Sequence, residues 1–180
     1  MSDVSKIVVG KPKIGGALYV APKGTTLPTD ATTALDAAFV GTGYISEDGL
    51  TQAITRDNED IKAWGGDTVM TTQTDYSEKF TFSLLETLDG GVKKLVFGDT
   101  NVTEAAGAIT AISNTKELEE HAMVFEMVQG TKAVRRVIPA GKVSEIGDIV
   151  YKDGEAVAYE LTVTALPDAS GNTSYEYTAA

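Results

Sequence analysis

A chain of 180 residues with 42% hydrophobic and 23% charged side chains has the size and balance of one compact soluble domain, not of a disordered segment. It holds no cysteine and one histidine, which excludes disulfide staples, thiol catalysis, iron–sulfur ligation and multi-histidine metal sites. A formal charge of −11 argues against a sequence-independent grip on phosphates, which Lys and Arg would have to supply.

The first 16 residues, with Gly10, Gly15 and Gly16 and with Lys6, Lys11 and Lys13 against Asp3 for a net +2, read as an N-terminal arm. Met1-Ser2-Asp3-Val4 lacks the basic-then-apolar layout of a secretory signal, and no apolar run approaches the roughly 20 residues that span a bilayer. The expectation is a protein made in a cytoplasm with no membrane partner. Residues 21–38 carry Pro22, Gly24, Pro28 and a Thr/Ala/Asp-rich run, which predicts a long surface loop, functional or mobile.

The dominant period thereafter is two. Leu50 to Trp64 and Thr68 to Leu85 flank Gly65-Gly66-Asp67 as arms of a hairpin far longer than the usual strand of about 5–6 residues. Such a ribbon should project from the body or find a neighbour to lie against. Within it, Tyr76, Phe80, Phe82 and Leu84 share a face, with Glu78 the one exception on that apolar side. A helix is predicted over Thr87–Phe97, capped by Thr87 and Gly98, with Leu88, Val92, Leu95 and Val96 as its stripe. Met123–Gln129 and Lys132–Ile138 flank Gly130-Thr131 as a second hairpin, which should end where Pro139 removes a ladder donor. A third pairs Ile149–Lys152 with Val157–Ala165 across Asp153-Gly154. Residues 167–180 read as a C-terminal arm. The fold class expected is mainly β, two packed antiparallel sheets with one flanking helix and a long hairpin, in a single domain over 1–180.

Chemistry is sparse. His121, beside Glu119 and Glu120, reads as a surface histidine at a strand end; no Gly-x-Ser-x-Gly elbow accompanies it. Gly41-Thr42-Gly43 lacks the third glycine of a dinucleotide fingerprint, Ser46 standing there, and no βαβ unit follows. Asp57-Asn58-Glu59-Asp60 has Lys62 and Thr68 where a calcium loop needs Gly and Glu. No cofactor, metal or enzymatic activity is expected. Charge patterning says more. Between Tyr44 and Lys79 eight acids stand against three bases, for a net −5. A basic arm and an acidic ribbon on one chain point to head-to-tail complementarity between copies, or to ordinary charge scatter. Trp64, beside Gly65-Gly66, either anchors a contact between subunits or caps its own core.

The stretch Gly43-Tyr44-Ile45-Ser46-Glu47-Asp48-Gly49-Leu50 resembles the major tail proteins of long, flexible-tailed bacteriophages, above all the tail tube subunits of phages of actinobacteria. The likeness continues through Glu59-Asp60-Ile61-Lys62-Ala63-Trp64-Gly65-Gly66, then Phe80-Thr81-Phe82-Ser83-Leu84-Leu85-Glu86-Thr87, and the helix ending Leu95-Val96-Phe97-Gly98. It covers residues 15–166, the 40–98 block being the most specific. The resemblance implies a β-sandwich that assembles into hexameric rings. These would stack into a virion tail tube that holds the tape-measure protein, meets tail terminator and tip proteins, and passes DNA without binding it specifically. Asp57, Glu59, Asp60, Asp75 and Glu78 would then be candidates to face the lumen and repel phosphates, with Trp64, Lys11 and Lys13 as candidates for subunit contacts. A secretion-system tube protein of the type VI kind and a monomeric β-sandwich binding or decoration module are the alternatives.

Overall fold

In the computed structural model, which describes residues 2–180, ten strands and one helix build two antiparallel sheets, one of eight strands and one of two. The strands are β1 (Leu18–Pro22), β2 (Val40–Gly41), β3 (Thr51–Lys62), β4 (Thr68–Leu84), β5 (Val102–Ala105), β6 (Ala108–Ala111), β7 (Glu120–Gln129), β8 (Lys132–Ile146), β9 (Tyr159–Leu166) and β10 (Tyr175–Ala179); α1 is Gly90–Phe97. The large sheet runs β2-β1-β7-β8-β9-β4-β3, with β10 added beside β8. The mainly β architecture with one flanking helix and a long hairpin agrees with the sequence expectation.

The large sheet bends until its two halves face each other. Phe125 on β7 lies 5.2 Å from Phe82 and 6.3 Å from Phe80, both on β4, although β8 and β9 separate these strands in the sheet. Leu18, Met123, Ile138, Leu161 and Val163 complete this inner core, and α1 closes it with Val92, Leu95 and Val96. One segment ties the two margins together. Val40 and Gly41 pair with β1, the Thr42 amide donates to the Leu18 carbonyl, and Ser46 N–H donates to the Ser83 carbonyl while Leu85 N–H donates to Tyr44. Residues 40–46 thus strap one edge of the bent sheet to the other.

β7 and β8 bury their outer face as well, which explains the unbroken apolar run from Ala122 to Phe125. Ala122, Val124 and Val137 lie under Phe39, Leu27 and Leu35 from the segment between β1 and β2. The predicted 21–38 loop is therefore a cover, and a buried ion pair pins it. Arg135, 2% exposed, pairs with Glu126 on the neighbouring strand and donates to the backbone carbonyls of Asp30 (2.8 Å) and Thr33 (2.9 Å). The loop is also knit internally. The Thr33 hydroxyl and the Thr33 and Thr32 amides donate to Asp30, holding its carboxyl well below the usual range.

Five sequence expectations need correction. The helix starts at Gly90 and not Thr87; Asp89 is its N-cap, accepting from the Val92 amide at 3.0 Å, and Leu88 is 86% exposed outside the stripe. Gly90-Gly91 thus opens the helix, where a Cβ on Gly90 would collide with the Glu104 carboxylate. Asp89→Ala should cost about 1 kcal/mol in a denaturant melt. Second, β8 continues through Pro139 to Ile146, because the pairing with β7 shifts register between His121 and Met123 and a bulge needs no donor from proline. Third, the strand paired with β9 is therefore β8; residues 149–152 form no strand, and Asp153-Gly154 turns within a longer connection. Fourth, the C-terminal arm contains β10, paired with β8 from Val137 to Ala133. Fifth, β5 and β6 form an unanticipated hairpin whose turn, Ala106 (φ 50°) and Gly107 (φ 81°), has the two positive φ angles of a type I′ turn.

Candidate assembly interface

The long hairpin forms as the sequence predicts and it projects. Every residue from Ala53 to Asp75 is exposed. Gly65 (φ 117°) and Gly66 (φ 98°) turn the chain where no other residue type would be comfortable. Among the described residues, β3 has a partner on one side only, and β4 meets β9 only from Lys79 onward. The ribbon therefore presents two rows of backbone N–H and C=O groups with no strand beside them, an aggregation liability in a solitary molecule.

The cross-strand register assigns each acidic candidate to a face. Gln52, Ile54 and Arg56 pair with Phe80, Glu78 and Tyr76 on the side that continues the inner core, whereas Asp57 pairs with Asp75 on the outer side. A bulge on β4 after Asp57 leaves the alternation of β3 unbroken, so Glu59 joins Asp57 and Asp75 on the outer face and Asp60 lies on the other. The two aspartates stand directly opposite each other, an unfavourable like-charge pair. The opposite face is internally tied: Arg56 stacks over Tyr76 at 4.6 Å and donates to Gln73 at 3.0 Å, and the Thr71 hydroxyl donates to Asp60 at 2.7 Å.

Glu78 is corrected outright as a lumen candidate, since it is 2% exposed. Its carboxylate accepts from Gln52 Nε2 (2.5 Å), the Ser174 hydroxyl (2.8 Å), the Thr173 hydroxyl and the Tyr76 hydroxyl (3.4 Å). Burial raises its pKa, but these donors, aided by the Arg136 charge, outweigh it and leave the group below its ordinary value. The residue is a latch that fastens the C-terminal segment to the root of the ribbon.

Beyond the ribbon root, the outer face of β3, β4, β9 and the end of β8 is bare and rich in hydroxyls. Thr51, Thr55, Ser77, Thr81, Ser83, Thr162, Thr164 and Ser144 lie here, and they bond one another, as in Thr81 with Thr162 (3.2 Å) and Thr164 with Ser144 (3.0 Å).

Trp64 is fully exposed at the ribbon tip, which removes the reading of it as a cap on its own core; Ile61, Val69 and Met70 beside it are about half-exposed or more. The N-terminal arm is docked on its own chain: Val128 N–H donates to Lys11 O, Lys13 N–H donates to Glu126 O, and the Lys13 ammonium is 2.5 Å from the Glu126 carboxylate. Lys13 is thus partly engaged within the subunit, while Lys11 remains exposed. Between the arm and residues 43–50 lies a groove of about 480 Å³, walled by Pro12, Ile14, Tyr44, Ile45, Leu50 and Met127 among others.

His121 is corrected from a surface to a buried position, 7% exposed, with Nε2 3.3 Å from Asp99 and, among the described residues, no partner for Nδ1. Among the described residues no cluster could hold a metal, and no helix is long and apolar enough to cross a membrane. Sequence inspection missed the Glu126–Arg135 pair, although the two residues are equidistant from the Gly130-Thr131 turn and so had to meet.

No curated protein sequence matches this chain. Its fold is similar to that of the tube-terminating cap of the anti-feeding prophage, at 10% identity over 99% of this chain and 100% of that one, with a TM-score of 0.52. A likeness of 9% identity and TM-score 0.49, over 99% of this chain and 100% of that one, extends to a chain of the extended sheath–tube complex of the extracellular contractile injection system PVC. The family model for phage tail tube proteins matches residues 5–179. With that match spanning nearly the whole chain, the protein belongs to the phage tail tube protein family and is a structural component of a phage tail.

Proposed function

We propose that copies of this chain join into rings, six to a ring as the resemblance to flexible-tailed phages implies, and that the rings stack into a tube through which DNA passes to the host. The observation that carries this reading is the ribbon from Ala53 to Asp75, exposed throughout and unpaired along both rims. A closed ring of copies removes such rims. The tape-measure, terminator and tip proteins are the expected partners, and the virion is the site of action. Purified protein examined by size exclusion and negative-stain microscopy at rising concentration should give rings or tubes; a monomer that persists at millimolar concentration overturns the proposal.

The bare hydroxyl face of β3, β4 and β9 is the best candidate for the channel wall. It offers little apolar area for a protein to cover, Ala53 and Leu166 being its apolar members, and beyond its one exposed lysine, Lys79, the residues Asp57, Glu59 and Asp75 extend it outward with negative charge that repels phosphates within the roughly 8 Å over which charge acts at physiological salt. Asp60, on the other face, is freed from that role. Replacing Asp57, Glu59 and Asp75 together with lysine should leave tubes intact and slow DNA delivery, scored as infectious titre; unchanged titre rejects the repulsive wall. A tube of the contractile injection-system kind remains the second reading, favoured by the fold shared with the anti-feeding prophage cap.

A further inference from the structure

We infer that the ribbon tip of one copy seats in the groove between the N-terminal arm and residues 43–50 of a second copy. The inference rests on the tube reading and names the contact by which one subunit engages the next.

The tip needs a cover. Trp64 is wholly in water and is flanked by exposed Ile61, Val69 and Met70, an apolar cluster on a ribbon that nothing in its own chain touches. Aromatic side chains of this kind anchor interfaces by filling a pocket on the partner. The groove is such a pocket. Its volume of about 480 Å³ lies within the range of sites that enclose a small organic group. Ile14 on its wall is entirely exposed and Tyr44 is 68% exposed, so the groove too has unmet apolar surface.

The occupant has to come from another copy. Residues 43–50 lie beside the C-terminal end of β4, where Ile45 bridges Leu84 and Ser46 bonds Ser83, whereas Trp64 lies beyond its N-terminal end. An antiparallel ribbon holds these sites apart by the length of β4, roughly 50 Å at about 3.3 Å per residue. The tip cannot fold back to its own groove. A contact between different surfaces on identical molecules is head-to-tail and yields a filament unless rotation closes it. Charges agree with this pairing at the tip, where Asp60 and Asp67 stand, and on the arm that walls the groove, which carries Lys11 and Lys13; Lys62 on the tip and Glu47 and Asp48 in residues 43–50 have the reverse signs.

Trp64 is the chain's only tryptophan and there is no cysteine, so the contact can be read directly. On assembly, the fluorescence of Trp64 should shift to shorter wavelength and lose its quenching by iodide. A nitroxide on Glu47→Cys, at the groove rim, should quench Trp64 in assembled material, and the same label on Ala34→Cys, in the loop over the other side of the body, should not. Trp64→Ala should raise the concentration needed for assembly roughly thirtyfold, the effect of losing an interface anchor, with an unchanged circular dichroism spectrum. Tubes in which Trp64 stays quenchable, or equal quenching from both labels, overturn the inference while leaving the tube reading intact. Failure of the unaltered chain to assemble at all overturns both.

Discussion

Replacing Arg135 with alanine is expected to cost about 3–5 kcal/mol, a large share of the 5–15 kcal/mol that holds a domain of this kind together. The guanidinium is almost completely enclosed and does three things at once: it neutralises Glu126 and caps the carbonyls of Asp30 and Thr33. Its removal strands a carboxylate that is 4% exposed, with Lys13 left beside it. It also releases the cover over Ala122, Val124 and Val137. Urea melts should show the loss, and limited proteolysis should cut between residues 23 and 38 in the variant well before it cuts the unaltered chain. The double change Arg135→Met with Glu126→Met should recover most of the melt stability, because a paired charge and an apolar pair of like volume are often equivalent in a core, yet leave the loop susceptible to protease. A loss under 1 kcal/mol for Arg135→Ala would show that packing alone holds the loop.

Glu78→Ala should cost about 2–3 kcal/mol, since Gln52, Thr173 and Ser174 all lose an acceptor in a partly buried site. Hydrogen exchange should rise across residues 167–174 before it rises in the core strands. The same carboxylate sets an acid limit. For Glu78 burial, and for Glu126 likewise, pushes the pKa up, but hydrogen bonds and nearby cations more than reverse it, leaving both below the ordinary 4.5. A depressed folded-state pKa adds stability that is complete above the unfolded value and drains away as pH falls through the folded one. Melts from pH 7 downward should therefore be flat to about 4.5 and fall below it. Glu78→Gln, which keeps an acceptor but cannot titrate, should be less stable at neutral pH and show a shallower acid decline. An equally steep decline would place the acid sensitivity elsewhere.

Some of this architecture was legible in the sequence and some was not, for physical reasons. The alternation in β4 and β9 was plain because one face is buried and the other is hydroxylated, so each residue's polarity reports its direction. The ribbon was plain because Gly65-Gly66 is flanked by two long arms. β8 past Pro139 was hidden, since a bulge excuses proline from the ladder. β5 and β6 were hidden because Val102–Ala105 and Ala108–Ala111 are short and mix small and polar residues without a period. Glu78 stood out as a charge on an apolar face, but its partners Thr173 and Ser174 lie nearly a hundred positions away and no local pattern announces them. The acidic candidates were found as a run; only register, with its bulge, could divide them between two faces.

The strap of residues 40–46 has a consequence for timing. Because it joins both margins of the bent sheet, the first strand of the body and the root of its ribbon are tied together within one chain, and the longest unpaired rims lie on the protrusion. Such a subunit can complete the fold of its body before it meets a second copy.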